Sequence, residues 1–561
     1  MIAPERQLRI PEDDIKLTLT SEPAERTAVS PVPQSQPAAD DLNPYRWIIM
    51  VAVLTGAFLE LLDTTSVNVA LRQMQGNLGA TSDEIAWVST GYILSNVVIL
   101  PLTAWLSSMF GRRNYLTFSI LLFTFASFAC GASNSLGALI FWRIMQGSGG
   151  AALLSTAQTT LRQVFPKEQQ GLIQSLFIVV VVTGPTLGPA FGGWMTDNYS
   201  WPWIFFIKSP LGLVSAALVW KFLDQPSVID KPKGLDWQGI SLLAVGLGSL
   251  QYVLEEGERY DWFNDYSIFR LTMLAAATLG AFVFWELSPR NTAPVVNLRV
   301  LKHNDLSTGA LLLLVGGFGI YGGVFIFPLF AQGILGFTPT DTGLLFLPGG
   351  IATIIGTIIC GRLMNGAKPL VRPGVLVLCG MVIFAISEWM LSRMTSQSGT
   401  MDTGLGLIVR GGAMGLLFAP ITVASLHTLK GAEIAQGAGL SNLARQLGGS
   451  FGIAAINTYV TSQTAFHRSN LVTNIYSGNI TLSTRIAALT NKFIGAGYSQ
   501  TSAHSSAIAV VDRSLEAQAL TMSYNDAFLL IAVVFVIATP LALLFFRRQS
   551  AAQVSIVDGE H

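Results

Sequence analysis

Two carboxylates stand inside an apolar stretch, GAFLELLDTTSVNVAL (56–71), which carries Glu60 and Asp63. Three residues apart, they share one helix face, continued a turn on by Ser66 and Val67. A charge at the centre of a bilayer-spanning helix costs at least about 2.5 kcal/mol, so each needs a partner, a wet cavity or a route to the interface. Two carboxylates on one poorly solvated face cannot both ionise cheaply. One is expected to hold and exchange a proton at neutral pH, which is the chemistry of proton coupling. The plainer reading is that one of them makes a polar contact between helices. Arg143, in FWRIMQGSGG (141–150), is the candidate counter-charge, either switchable or fixed in a structural ion pair. Gln146 beside it reads as a group of the substrate cavity, and Gly147, Gly149 and Gly150 permit close backbone approach.

Further along, Asn442, Arg445, Gln446 and Asn457 lie on one apolar segment and are candidates for polar cavity groups, with interhelical hydrogen bonds as the alternative. Lys208 stands only about seven residues beyond Trp201, so its ammonium is expected to snorkel to the interface. Other chemistries fail. Cys130, Cys360 and Cys379 have no ligand spacing, and the five histidines form no metal pattern. No Gly-Lys pair exists, hence no phosphate-cradling loop; Gly317, Gly319 and Gly322 fit GxGxxG only inside an apolar span, where helix packing explains them. No metal or cofactor is expected. A membrane enzyme should show a convergent His, Asp, Glu or Cys constellation, and a sensor an appended soluble domain; neither is evident.

The elements that must position these groups follow from composition. Of 561 residues only 12% are charged, against roughly 25% in soluble domains, while 51% are hydrophobic and the mean hydropathy is +0.52. This is an all-α integral membrane protein. Net charge is zero, so no global field suggests nucleic acid as a partner. Fourteen apolar runs are each long enough to cross about 30 Å of hydrocarbon. They fall near 46–70, 84–107, 114–132, 137–161, 169–194, 201–223, 236–254, 268–286, 305–330, 340–361, 369–391, 404–427, 436–462 and 524–546. Residues 1–45, with seven prolines and eight acids, read as a disordered cytosolic tail, and 547–561 as a second tail.

Basic residues set the orientation. With the N-terminus inside, the inner segments hold sixteen, including Lys167, Lys231, Lys233, Lys368 and Lys430, and the short outer loops hold four: Arg72, Arg259, Arg270 and Arg393. Both termini are expected in the cytosol. The segments also repeat. AWLSSMFGRR (104–113) is echoed by GRLMNGAKPL (361–370), Arg143 with Gly147 by Arg410 with Gly415, and the 184–193 run by Gly448, Gly449 and Gly452, at offsets of 257, 267 and near 260. Six spans (46–224), a linker with two inserted spans (225–304) and six more (305–546) account for these offsets. The outer loop 464–523 is unusually long, and its segments 482–493 and 506–520 have the spacing of two short amphipathic helices.

VVVVTGPTLGPAFGGWM (179–195) sets Gly184, Gly188 and Gly192 one turn apart, with Gly193 following, as a smooth ridge. Pro185 and Pro189 interrupt its hydrogen-bond ladder, so the helix should bend. Gly111, Arg112 and Arg113 form a tight basic turn on the cytosolic side, at least a topology anchor. Together with LDTTSVNVAL (62–71), RIMQGSGG (143–150) and RQLGGSFG (445–452), these segments resemble the fourteen-span drug:proton antiporters of the major facilitator superfamily, the EmrB/QacA type. The resemblance covers roughly 46–546. It implies a major facilitator fold of two six-helix bundles plus two inserted helices, and proton-driven export of hydrophobic or amphipathic small molecules by alternating access across a bacterial inner membrane. A dedicated exporter of one metabolite, such as a siderophore or fatty acid, is the alternative. By the same resemblance Asp63 takes part in proton and substrate coupling, Arg143 in proton transfer, and 184–193 is the antiporter motif. Protons, the transported molecule and lipid are the implied partners, with a periplasmic adaptor and outer-membrane channel as further ones. Two positions depart from the pattern: Ser108 and Met109 stand where many members have Asp and Arg in the loop motif.

Overall fold

A computed structural model describes residues 43–166, 169–225, 236–291, 294–364, 371–429, 432–473 and 480–557. Outside them lie the expected tail up to residue 42, the inner-loop bases Lys167, Lys231, Lys233, Lys368 and Lys430, and the last four residues. The described chain is helical: α1 (Arg46–Leu78), α2 (Ser82–Ile99), α3 (Thr103–Phe110), α4 (Arg112–Gly131), α5 (Leu136–Val164), α6 (Gln170–Asn198), α7 (Pro202–Phe206), α8 (Lys208–Phe222), α9 (Trp237–Glu256), α10 (Tyr266–Leu287), α11 (Asn304–Gly333), α12 (Pro339–Met364), α13 (Pro373–Leu391), α14 (Thr400–His427), α15 (Ala432–Val472), α16 (Ile480–Gly495) and α17 (Gln500–Val557).

Helices occupy all fourteen expected span positions, with α2 and α3 forming one and α7 and α8 another. Among the described residues eleven spans are long and apolar enough to cross a membrane unaided, and α6, bent by 43° between Leu172–Pro185 and Leu187–Asn198, makes a twelfth. The bend falls at Pro185, where the ring removes a backbone donor. The other two positions are α5 and α15, rich in Gly, Gln, Asn and Arg. Their polar side chains, Arg143, Gln146 and Gln158 on α5 and Asn442 and Arg445 on α15, are buried against protein, so mean hydropathy understates these spans.

The two six-span sets have like packing among the described residues. In the first six-span set α1 packs on α5, α6 and α8, α5 on α2 and α4, and α4 on α8; in the second, α11 packs on α14, α15 and α17, α14 on α12 and α13, and α13 on α17. Between the sets, α6 lies along α12 and α15 touches α5 and α3. The inserted pair α9 and α10 packs on itself, while α9 also meets α2 and α15.

Local chemistry explains the element ends. Asp236 and Asp265 cap α9 and α10 by accepting from Gly239 N (2.8 Å) and Ser267 N (2.7 Å). Thr81 and Glu84 make a reciprocal capping box on α2, and the Thr81 backbone N–H, 2.9 Å from Oε2, holds the exposed Glu84 carboxyl below the usual carboxylate range. Gly111 turns the chain between α3 and α4 at φ +80°, a conformation L side chains rarely adopt, which is why the loop motif needs glycine there. Arg113 then covers the Trp220 ring at 4.8 Å. The Ser108 hydroxyl donates to Trp105 O of its own helix (2.7 Å).

The long outer connection differs from its expected form. Segment 482–493 lies in α16, but 506–520 is part of α17, which runs without a break from Gln500 into the last span. α15 likewise continues to Val472, and the two extensions are tied by Thr464 to Ser523 (3.0 Å), His467 to Asp526 (2.7 Å) and Arg468 to Asp512 (2.8 Å). α16 packs on α17 and has no buried residue.

The glycine ridge of α6 faces α1. A Cβ on Gly184 would meet Leu61, one on Gly188 would land on Thr65 Oγ1, and one on Gly192 would enter the Ser66 backbone. Overpacking of this kind costs typically about 1–3 kcal/mol. Gly188→Leu should therefore lower the Tm of the detergent-purified protein by several degrees, whereas Gly280→Leu, at an open position on α10, should leave it unchanged. Equal melting curves would mean that α1 and α6 do not need close contact.

Candidate functional site

Two helices beside α1, α5 and α8, converge on Asp63. Its carboxylate is fully buried and takes three donors: Arg143 Nη1 from α5, Lys208 Nζ from the start of α8, and Gln146 Nε2 at 3.2 Å. Arg143 is itself held in place. Its Nε donates to Val88 O (2.8 Å), its Nη1 also reaches Gln146 Oε1 (2.8 Å), and its guanidinium stacks on the Tyr92 ring at 4.3 Å. The Phe205 ring lies 5.2 Å from Lys208 Nζ and closes the site from the α7 side. One buried anion faces two buried cations, so the cluster has an excess charge of +1 with Asp63 ionised.

This corrects the expectation for Lys208. Its ammonium does not snorkel to the interface; its side chain is 1% exposed and bonded to Asp63. The reason is local. The span is broken at Ile207, where the short α7 ends and α8 begins at Lys208, so distance from Trp201 along a straight helix misjudges where the side chain points. Pro202 and Pro210, which bracket this break, were the signal available in the sequence.

Glu60, on the same face of α1, is buried but outside the ion cluster. Asn96 Nδ2 of α2 approaches its Oε1 at 3.5 Å, and its Oε2 has no partner. Asn96 in turn accepts from Gln446 Nε2 of α15 (3.2 Å), a hydrogen bond between the two six-helix sets. Gln446 and Gln146 thus serve these two networks. A cavity lies between the sets, and Asn442 and Arg445 do line it, together with Gln158, Thr422, Phe177 and Phe418. Asn442 Nδ2 donates to Gln158 Oε1 (3.4 Å), and Arg445 Nη1 to the Tyr321 hydroxyl of α11. Asn457 instead donates to Glu258 Oε2 (3.0 Å) at the outer end of α9. Tyr92, Asn96 and Gln158, ordinary polar residues of apolar helices, carried no sequence signal for this role.

Contacts between the sets exist at both ends of the spans. At the end where α6 finishes and α12 begins, Thr340 donates to Asp197 (3.3 Å), and a Cβ on Gly343 would strike the Ala190 backbone. At the opposite end, Arg162 Nη1 donates to Leu426 O (2.7 Å) and its Nη2 to Val423 O (3.2 Å), where they cap carbonyls of α14. These contacts join the two sets at either end of the spans.

Two six-helix sets, with a buried charge cluster in the first and a small cavity between them, have the architecture of a multi-pass membrane transporter. Residues 53–453 match the Major Facilitator Superfamily, and the chain belongs to that superfamily. It is 31% identical over 504 residues to the multidrug export protein EmrB of Escherichia coli strain K12, covering 89% of this chain and 95% of that protein. To the fatty acid resistance protein FarB of Neisseria gonorrhoeae it is 30% identical over 503 residues, with the same shares covered. The crystal structure of the human organic anion transporter MFSD10 (TETRAN) shares the fold at a TM-score of 0.54 and 12% identity, covering 88% of this chain and 100% of that one.

The charge count of the cluster makes a stability prediction. Asp63→Asn strands two buried cations and should destabilise by about 3–5 kcal/mol, the range for removing one partner of a buried pair. Lys208→Met leaves Asp63 and Arg143 matched one to one and should cost clearly less. Thermal unfolding of the purified variants orders them; a Lys208→Met protein as labile as Asp63→Asn would contradict the cluster geometry.

Proposed function

We propose that this protein is a proton-coupled multidrug efflux antiporter of the bacterial inner membrane, exporting hydrophobic or amphipathic small molecules by alternating access. The observation that carries this reading is the wholly buried Asp63 held by Arg143, Lys208 and Gln146. Such an anion has two states of different charge. Ionised, it binds α1, α5 and α8 together; protonated, it releases two cations from their common partner and weakens that junction. Exchange between the states at opposite membrane faces ties proton entry to helix rearrangement. Each charge carried across 100 mV supplies about 2.3 kcal/mol, to which a pH gradient adds.

In this reading Glu60, through Asn96 and Gln446, links the coupling site to the second bundle, and Asn442 and Arg445 contact cargo in the cavity. The contacts of Thr340 and of Arg162 are the two gates that open in turn. The working units are bundles at 46–224 and 305–546, joined by a linker at 225–304, with tails 1–45 and 547–561 both in the cytosol. Gly111, Arg112 and Arg113 anchor the cytosolic turn, and the ridge Gly184 to Gly193, with Pro185 and Pro189, holds α6 against α1. The names of EmrB and of FarB support multidrug export first and a dedicated lipid-like or metabolite cargo second. A panel of ethidium, a quinolone, a siderophore and a fatty acid tested on inside-out vesicles separates them: uptake of several unrelated compounds supports the first, uptake of one the second.

Replacing Asp63 by Asn keeps shape and removes the titratable group. Gradient-driven uptake by that variant should fall at least about tenfold, corresponding to 1.4 kcal/mol or more of lost coupling, while equilibrium binding of the same compound persists. Wild-type uptake would remove Asp63 from the mechanism.

The outer helical hairpin of α16 and α17 is proposed to dock a periplasmic adaptor that leads to an outer-membrane channel. Its exposed apolar residues, Ile480, Ile494 and Tyr498, suit a protein contact. Deleting residues 470–515 should abolish cellular resistance yet leave vesicle transport intact. Loss of both activities would make the hairpin a lid.

A further inference from the structure

The second six-helix set contains another buried ion pair, remote from the Asp63 cluster in sequence and on different helices. Glu388 of α13 is fully buried and Arg410 of α14 is 3% exposed. Arg410 Nε lies 3.7 Å from Glu388 Oε1, beyond hydrogen-bond reach. Neither Glu388 oxygen has a hydrogen-bond partner, and Arg410 Nη1 has none either. This differs in kind from Asp63, whose carboxylate is met by three donors.

The position of the pair follows from the repeat. Arg410 stands 267 residues after Arg143, on the helix that corresponds to α5. Gly323 of α11 stands 260 residues after Asp63, and a Cβ there would meet Arg410 Nη1 at 2.7 Å and its Cζ at 3.0 Å. Where the first set carries its carboxylate on the leading helix, the second leaves a glycine, and the acid comes from α13 instead. The surroundings are apolar. α17, packed on α13, presents Phe535, whose ring stacks on Phe384 at 4.1 Å. The titratable residues of α17 nearest in sequence have other contacts: Asp526 is bonded to His467, and the Tyr524 ring rests on Phe330 at 6.0 Å. α11 offers Gly319, Gly322 and Gly323 to this region, facing Phe535 with Phe384, Ile456, and Arg410 respectively. Arg410 is thus the charged group that faces Glu388 among the described residues.

We propose that Glu388 is a second proton-carrying site, loaded and released within the second bundle with Arg410 as its counter-charge. A buried carboxylate without hydrogen bonds is costly to keep ionised, and one cation at 3.7 Å offsets this only in part. When a carboxylate oxygen takes a proton from water, an O–H bond forms and the anion disappears; Arg410 stays protonated and loses its counter-ion. Loss of the proton reverses both changes. Glu388 lies three residues from Leu391, the end of α13. The use of this site in transport rests on the proton-coupled reading above, but its existence does not.

The test is an infrared difference spectrum of the full-length protein in lipid, recorded between about pH 5 and about pH 9, which reads the C=O stretch of a protonated carboxylic acid directly. Wild type and Asp63→Asn should both show a band that Glu388→Gln lacks. A Glu388→Gln spectrum that superimposes on wild type overturns the proposal. If Glu388→Gln does not fold, Glu388→Asp keeps a titratable group one methylene shorter and should shift the band in frequency and midpoint; an unshifted band is equally fatal. A protein that shows the band but exports nothing would defeat the efflux reading and leave this site standing.

Discussion

One buried carboxylate surrounded by two cations is the constraint around which the first bundle is organised. Asp63, Arg143 and Lys208 come from α1, α5 and α8, so none of the three helices can move far without separating charges in a low-dielectric interior. The cluster is tolerable because its charged groups are met directly: Gln146 bonds both Asp63 and Arg143, Val88 gives a backbone carbonyl, and Tyr92 and Phe205 offer ring faces to the cations. Close helix contact is a precondition. Gly147 of α5 sits against Tyr92 and Ser95, and Gly188 and Gly192 of α6 sit against Thr65 and Ser66, a turn beyond Asp63.

The two bundles share a packing plan but not an electrostatic one. α11 with α14, α15 and α17 repeats the neighbours of α1 with α5, α6 and α8, and the arginine is kept at Arg410. Its acid comes from α13, and on α11 the guanidinium rests against Gly323. The packing is thus shared by the two bundles while the charges differ. The cavity between the bundles takes polar groups from both, Gln158 from the first and Asn442 and Arg445 from the second, among mostly apolar side chains.

Much of this was legible in the chain. Fourteen apolar runs predicted the spans because hydrocarbon thickness sets helix length, and Asp63 and Arg143 stood out because a charge in such a run needs a reason. Pro185 announced the bend in α6. Other features were hidden for physical reasons. Lys208 was misread because a break between α7 and α8 redirects the side chain, and Glu388 passed unnoticed because it lies close to a span end, where an exposed acid would be ordinary. Gln146 and Gln446 read as cavity groups from their position on polar helix faces, but a face does not say which neighbour it meets; the first turned to Asp63 and the second to Asn96. The long connection reads as two short helices because helical spacing shows only in 482–493 and 506–520, whereas the second of these runs on without a break into the last span.

Protonation of Asp63 is proposed to change which gate is closed. Electron–electron resonance distances report this directly, between spin labels on Asn198→Cys and Thr340→Cys in a Cys379→Ser background, the other two native cysteines being buried. With Asp63 present, the distance distribution across this gate should shift between about pH 5 and about pH 9; with Asp63→Asn it should stay in one state throughout. A variant without Asp63 that follows pH as the wild type does would contradict the account.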